Sequence, residues 1–350
     1  MPITTRKTPA LFLVSTLVLV LVAQVPVRAA EPFAKVRVAT RATVLDFPRG
    51  IRNIGMGSTG AASVSQPANG YFNPASLAWA DGLTLSGEYQ DFAYESLDPA
   101  FNLSDIRASV GTQRPAGWSF GGLLGYSAFR AEPQIVRTIY LPDGTGETFD
   151  VDDYYLTVLG AAAWTRGVAT VGAGVSGKYL SLNGNDAWLL DLGVLVALAF
   201  RPDSTLIRPR VGVSVSNLDS GWGYDGREYD LGDESRIGIG LDIASRPIGI
   251  AGRRVPVIAS AVDVDWVFQP AQYADDGYWA IGWEVSAADL LQVRIGQESQ
   301  RNLDKSAYGF GLGWTFGRWM IRGDYARESW DTFLGHAKTD AFGVALGARL

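Results

Sequence analysis

The sequence predicts an all-β protein, a 14-stranded antiparallel transmembrane β-barrel with an N-terminal hatch segment inside its lumen. Three observations lead there: an export-type leader, a series of ten- to fourteen-residue segments with alternating apolarity, and a C-terminal strand of the same kind. In that last strand Phe342, Val344, Leu346, Ala348 and Leu350 put an apolar residue at every second position, with Gly343, Ala345, Gly347 and Arg349 between them. A period of two places the two sets on opposite faces, and a face that stays apolar to the final residue is suited to lipid.

The leader sets the compartment. Arg6 and Lys7 precede an apolar run from Leu11 to Val25, and Val27-Arg28-Ala29 supplies a small-residue cleavage pattern. Residues 1–29 are therefore expected to be a signal peptide, since the run is short for a membrane anchor. Residues 30–82 are expected to form an N-terminal extension and hatch, and residues 83–350 the barrel. The expected location is an outer membrane of the Gram-negative type, with its lipid as the first partner.

Composition agrees with export to that site. The 41 glycines among 350 residues exceed the usual share of about 7% and fit poorly into helices. Cysteine is absent, so there is no disulfide framework, no thiolate metal site and no cysteine for a lipid anchor. Without Arg6, Lys7 and Arg28 the 30 basic residues become 27 against 36 acidic ones, a net charge of −9 that argues against a nucleic-acid partner.

Alternating segments start near Leu83, Asn102, Gly117, Val151, Gly167, Ala187, Leu206, Asp233, Val255, Gly277, Asp289, Lys305, Gly317 and Asp340. Fourteen is an even number, as a barrel with both ends on one side requires, and each segment is long enough to cross a bilayer at a tilt. The connections alternate in length. They are short at Arg114 to Ala116, Thr165 to Arg166, Arg201 to Thr205, Ser286 to Ala288 and Phe316 to Gly317. They are long at Arg130 to Asp150, Leu218 to Gly232, Gln269 to Asp276 and Glu328 to Thr339. Ser245 to Arg254 breaks the alternation, being long where a short turn is expected.

Parity assigns faces. In the segment from Gly167 the outward set is Val171, Ala173, Val175 and Tyr179, and the inward set is Thr170, Gly172, Gly174, Ser176 and Lys178. From Asp289 the outward set is Leu291, Val293 and Ile295, with Gln292 and Arg294 inward. Aromatic residues gather as two girdles: Trp118, Trp164, Phe200, Trp283, Trp314 and Trp319 near the short-turn rim, and Tyr89, Tyr126, Tyr154, Trp188, Trp266 and Tyr308 near the other. The same rule sends Arg107, Lys178, Arg210, Arg236, Arg294, Arg322 and Arg349 inward, against Glu88, Asp191, Asp242, Asp263, Asp265, Glu284 and Asp324. Equal numbers of each sign suit a network of paired groups bracing a plugged barrel better than an ion-selective pore.

Residues Arg52 to Gly82, RNIGMGSTGAASVSQPANGYFNPASLAWADG, do not alternate. Gly55, Gly57 and Gly60 permit tight backbone, and Asn73-Pro74-Ala75 opens a short helical turn. This stretch, with Arg52, Gly55, Met56, Gly57, Asn73, Pro74 and Ala75 as its marks, resembles the N-terminal signature of the FadL (fatty-acid transporter) superfamily, and more closely its PorV/PorQ branch. Blocks at Lys178 to Gly193, from Val211, from Tyr278 and from Ala307 are similar to that branch in the same order, over nearly all of the mature chain. The resemblance implies that Arg52 to Asp81 is a hatch folded inside the barrel, held by lumenal groups such as Arg294, Arg322, Asp263 and Asp265. Where family members often carry paired acids this chain has Gln66-Pro67, so no role of those acids carries over.

Nothing points to catalysis or to a cofactor. His336 is the one histidine and has no serine nucleophile motif near it. The glycines Gly309, Gly311 and Gly313 have strand period and are not a phosphate loop. Asp143, Glu147, Asp150, Asp152 and Asp153 match no EF-hand spacing, and no metal site is expected. The family resemblance implies a non-enzymatic role in one of two forms. As in PorV/PorQ, the barrel would be an accessory of protein export that accepts a secreted cargo protein or another secretion component at its outer face. As in the fatty-acid transporter branch, it would take up a hydrophobic small molecule. The charged lumen, with Arg107, Lys178, Asp191, Asp263, Asp265, Glu284, Arg294, Arg322 and Asp324 as its candidate network, weighs toward the protein cargo.

Overall fold

A computed structural model of the chain describes residues 49–349, apart from 65, 95–96, 132–150, 183–184, 203–204, 219–220, 225–226, 231–232, 251–252, 269–276, 301–302 and 333–334. The expected signal peptide, most of the N-terminal extension and the acidic residues Asp143, Glu147 and Asp150 lie outside the described residues.

Fourteen strands close one antiparallel barrel. In chain order they are β1 (Gly82–Tyr94), β2 (Leu97–Thr112), β3 (Gly117–Ala131), β4 (Val151–Arg166), β5 (Ala169–Leu182), β6 (Asn185–Leu198), β7 (Leu206–Leu218), β10 (Glu234–Ala244), β13 (Ile258–Phe268), β14 (Tyr278–Ala287), β15 (Leu291–Gln300), β16 (Leu303–Phe316), β17 (Trp319–Thr332) and β18 (Gly335–Ala348). Two hairpins stand outside the barrel ladder, β8 (Gly221–Tyr224) with β9 (Arg227–Asp230), and β11 (Pro247–Ile250) with β12 (Arg253–Pro256). The barrel closes between its first and last strands, from Leu83 opposite Ala348 to Tyr94 opposite Ala337. No strand edge is left unpaired around the ring, which is how a sheet satisfies its backbone in lipid.

Most strand starts fall within a few residues of the alternation in the sequence, with three corrections. The stretch Glu328 to Thr339 is not a loop. β17 and β18 stay paired through it, with Arg327 opposite Asp340 and Thr332 opposite Gly335. Charged residues had masked the alternation there: Arg327 binds Asp340 on the outward face at 2.7 and 2.9 Å, and Tyr325 donates to the same carboxylate. Val255 does not start a barrel strand, because β11 and β12 fill the long connection after Ser245 and β13 begins at Ile258. Leu218 to Gly232 likewise contains the β8–β9 hairpin.

Outward residues of the predicted faces are exposed, among them Val175, Val293, Ile295, Phe342, Val344 and Leu346, and both aromatic girdles stand on this outer surface. The apolar core is not between sheets. It lies between the wall and residues 49–81, which pass through the lumen. Ile51 and Ile54 pack on Ala326 and Ala341, Leu77 packs on Leu123 and Leu159, and Trp79 packs near Ala163 and Leu195.

Candidate functional site

The hatch begins with α1 (Ile51–Gly55), continues through a turn in which Gly57 and Ser58 both have φ of 65°, and ends in two 3-10 turns, Pro67–Tyr71 and Pro74–Trp79. The second starts as the sequence suggests: the Asn73 side chain accepts from the Ala75 N–H at 3.0 Å and Pro74 takes the first helical position. Asn73 also donates to the Ala61 carbonyl at 2.7 Å and to Val194 of β6 at 3.1 Å, so one amide ties hatch to hatch and hatch to wall.

Wall glycines let the hatch backbone come close. A Cβ on Gly282 would lie 2.9 Å from Met56 Cα, and one on Gly238 would lie 2.8 Å from Ala61 Cβ and from Ala62 N. Gly309 faces Gly55 in the same way, and a Cβ on Gly57 would meet the Gln297 backbone, which explains two of the glycines in the motif. Polar groups complete the seating. Asp265 accepts from Gly60 N at 2.7 Å and Ala61 N at 2.9 Å, Ser214 donates to Phe72 O at 2.6 Å, and Arg236 donates to Ser58 O at 3.2 Å.

The lumenal charges fall into distinct groups. The largest is a ribbon of alternating sign that crosses from wall to hatch and back. Arg208 and Arg210 hold Asp242, Arg210 holds Asp263 at 2.9 Å, and Asp263 faces Arg52 of the hatch at 3.6 Å. Arg52 meets Glu284 at 3.2 Å, Glu284 meets Arg294 at 2.6 Å, Arg294 meets Asp324 at 2.8 Å, and Asp324 meets Arg322 at 2.7 Å. The ribbon returns to the hatch at Gln66, whose amide oxygen, oriented to satisfy its neighbours, accepts from Arg322 at 2.8 and 3.1 Å. Burial alone would lower the pKa of Arg52, but the carboxylates of Glu284, Asp263 and Asp242 outweigh it and raise it above the ordinary value.

A second group joins Arg107 to Glu88 and to Asp105, the latter at 2.6 Å, with the guanidinium 5.4 Å from the centre of the Tyr71 ring. A third joins Lys178 to Asp191 at 2.8 Å. Asp191 also accepts from the backbone of Asn217, whose φ of 62° marks the register shift between β6 and β7.

Of the predicted network, Asp263, Glu284, Arg294, Arg322 and Asp324 thus share one ribbon with Arg52 of the hatch motif, Arg107 and the Lys178–Asp191 pair stand apart, and Asp265 serves the hatch backbone. Arg294 reaches the hatch only through Glu284 and Asp324. Arg349 is a correction. It lies past the end of β18, where strand parity no longer governs, and pairs at the rim with Asp81 at 3.4 Å, the two side chains being 58% and 48% exposed. Asp105 and Arg208, absent from the parity set, share a face with Arg107 and Arg210 and bind Arg107 and Asp242. The set also lacks the buried Glu298 and Glu328, with Lys305 at 3.1 Å from Glu298, since those strands run further than their alternation. Arg49, which donates to Tyr155 at 2.6 Å, carries no sequence signal at all.

One cavity of about 260 Å³ lies between the hatch and strands β1, β2, β17 and β18, toward the short-turn rim. Ile51, Val64, Leu77, Trp79 and Met320 form its apolar side; Ser76, Thr84, Ser86, Arg322 and Asp324 are among its polar ones. Among the described residues no cluster of three or more His, Asp or Glu side chains could hold a metal ion, and His336 is an exposed partner of Asp331 at 2.9 Å.

Comparison with solved structures places this architecture. The TodX monoaromatic hydrocarbon channel, in a deltaS2 mutant form, superposes with a TM-score of 0.52 at 14% identity, covering 86% of this chain and 98% of its own. The toluene transporter TbuX of Ralstonia pickettii gives 0.52 at 13% identity, and the CymD monoaromatic hydrocarbon channel gives 0.51 at 12%; each match covers 87% of this chain and 98% of the other. The chain shares the fold of these three channels, a closed antiparallel barrel. No protein-family profile and no curated protein sequence matches it. At these identities the likeness is one of architecture, a closed barrel of fourteen antiparallel strands.

Proposed function

We propose that this barrel takes up a small, mainly apolar molecule across the outer membrane, after export directed by residues 1–29. The observation that carries the reading is the cavity beside the hatch. Its volume of about 260 Å³ suits a ligand of one ring or a short chain, with an apolar side made by Ile51, Val64, Leu77, Trp79 and Met320. Elsewhere among the described residues wall glycines and the charge ribbon hold the hatch against the strands. A polypeptide would need those contacts broken together. The architecture shared with toluene and monoaromatic hydrocarbon channels supports the same choice.

The test is uptake of labelled toluene, at concentrations well below saturation, by intact cells with and without the barrel. Faster initial uptake in cells that carry it is the expected result, and equal rates would overturn the reading. The export-accessory alternative of the PorV/PorQ kind rests on the resemblance of Arg52 to Gly82. It predicts a secreted protein that co-purifies with the barrel and is stranded in the periplasm when the barrel is deleted.

A further inference from the structure

Resting on the uptake reading, we infer that the cavity beside the hatch is a binding site for a compact apolar molecule carrying one uncharged hydrogen-bonding head, the class of a phenol, in preference to a bare hydrocarbon. Its two sides differ in kind. The apolar side supplies contact to a ring or short chain. On the polar side Ser76 is 3% exposed, and its hydroxyl has no partner among the described residues. A buried hydroxyl without a partner is unfavourable, and a ligand hydroxyl that both donates and accepts would satisfy it. Thr84 and Ser86 add two further hydroxyls to the same lining.

The charges around the cavity decide against an ionised head. Arg322 is held by Asp324 and Gln66, Arg107 by Glu88 and Asp105, and Asp81 by Arg349. Each charged group in the lining is already paired, so an entering carboxylate or ammonium would lose its hydration without gaining a free counter-charge. A neutral head meets no such cost.

p-Cresol and p-xylene differ only by a hydroxyl in place of a methyl, and p-cresol is uncharged at pH 7. Isothermal titration of the detergent-solubilised full chain should show p-cresol binding about tenfold more tightly than p-xylene, the effect of one hydrogen bond. Ser76→Ala should remove most of that preference while moving p-xylene by less than about twofold; p-toluate and 4-methylbenzylamine should bind more weakly than p-cresol. Ser76→Cys places a unique thiol in a chain that has no cysteine, and p-cresol should slow its alkylation, which locates the ligand in this cavity. Equal affinity for p-cresol and p-xylene, or tighter binding of either ion, would overturn the inference and leave toluene uptake standing. Unslowed alkylation at saturating p-cresol would remove the site. Normal p-cresol binding without toluene uptake would instead overturn the transport reading and leave the site in place.

Discussion

Gly238→Ala isolates the seating of the hatch, because the new methyl group would have nowhere to go. Its Cβ would sit 2.8 Å from Ala61 Cβ, 2.8 Å from Ala62 N and 2.5 Å from Oδ1 of Asp265, the side chain that binds the hatch backbone, against an ordinary carbon contact of about 3.5 to 4.0 Å. Hatch or strand must therefore yield by roughly 0.7 Å or more. The strand is held by unbroken ladders to β7 and β13, whereas the hatch is held by scattered bonds, so the hatch is the part that moves. Overpacking of this kind costs about 1 to 3 kcal/mol, which shifts the equilibrium between seated and displaced hatch by about five- to 150-fold. Gly160→Ala is the control, since a Cβ there meets nothing within 4 Å. In planar bilayers the native barrel and Gly160→Ala should conduct poorly, while Gly238→Ala should show frequent open events and faster protease cleavage within residues 52–81. Identical conductance and cleavage for the two variants would refute the claim that wall glycines seat the hatch.

Other perturbations test other parts of the fold. Val158→Arg, at the centre of β4 and 63% exposed, should lower stability in a bilayer by about 2 to 4 kcal/mol, whereas Val168→Arg in the adjoining turn should cost about 0 to 1, both read by urea unfolding. Arg52→Met should destabilise the hatch by about 3 kcal/mol, because Glu284 and Asp263 lose a buried partner even though Arg294 and Arg210 remain; protease susceptibility of residues 52–81 measures it. Ser86→Trp should fill the cavity and abolish toluene uptake with little change in thermal stability. Single cysteines at Asp331 and Gly317 should divide, the first labelled from outside intact cells and the second only after permeabilisation.

Sequence and structure agree most closely where one physical rule acts alone. Lipid on one face forces alternation, and so β3, β4 and β7 start at the residues the alternation indicates. The rule fails where other demands interrupt it. At the far end of β17 and β18, Arg327 and Asp340 face outward as a bonded pair, and a reading tuned to apolar residues takes them for a loop. Parity gives the side of a charge but not its partner: Arg294 and Glu284 were legible as lumenal, whereas their link through Arg52 to Asp263 depends on the path of the hatch. That path is set by close backbone approach at Gly57, Gly238 and Gly282. Gly57 stands out as part of the motif, but in the sequence Gly238 and Gly282 look like any other strand glycines, because nothing in one strand says which residue of another segment lies against it.

The placement of the cavity also constrains how anything could pass. Around most of the ring the hatch lies on the wall itself: Met56 on Gly282 of β14, Ala61 on Gly238 of β10, Trp79 on Gly172 of β5. At β1 and β17 side chains longer than glycine, Thr84, Ser86, Met320 and Arg322, hold the wall away from it, and the gap they leave is the cavity. Opening a path elsewhere would require several backbone contacts and buried ion pairs to break at once, and breaking a single buried pair already costs about 3 to 5 kcal/mol. On the β1–β17 side the barrier is smaller in kind, since the link from Arg322 to Gln66 is one amide contact and Arg322 keeps Asp324 when that contact is released. Passage by a small molecule along this side is therefore compatible with a hatch that stays folded and seated, and the charge ribbon that appeared in the sequence as evidence for a protein cargo is better understood as what keeps it so.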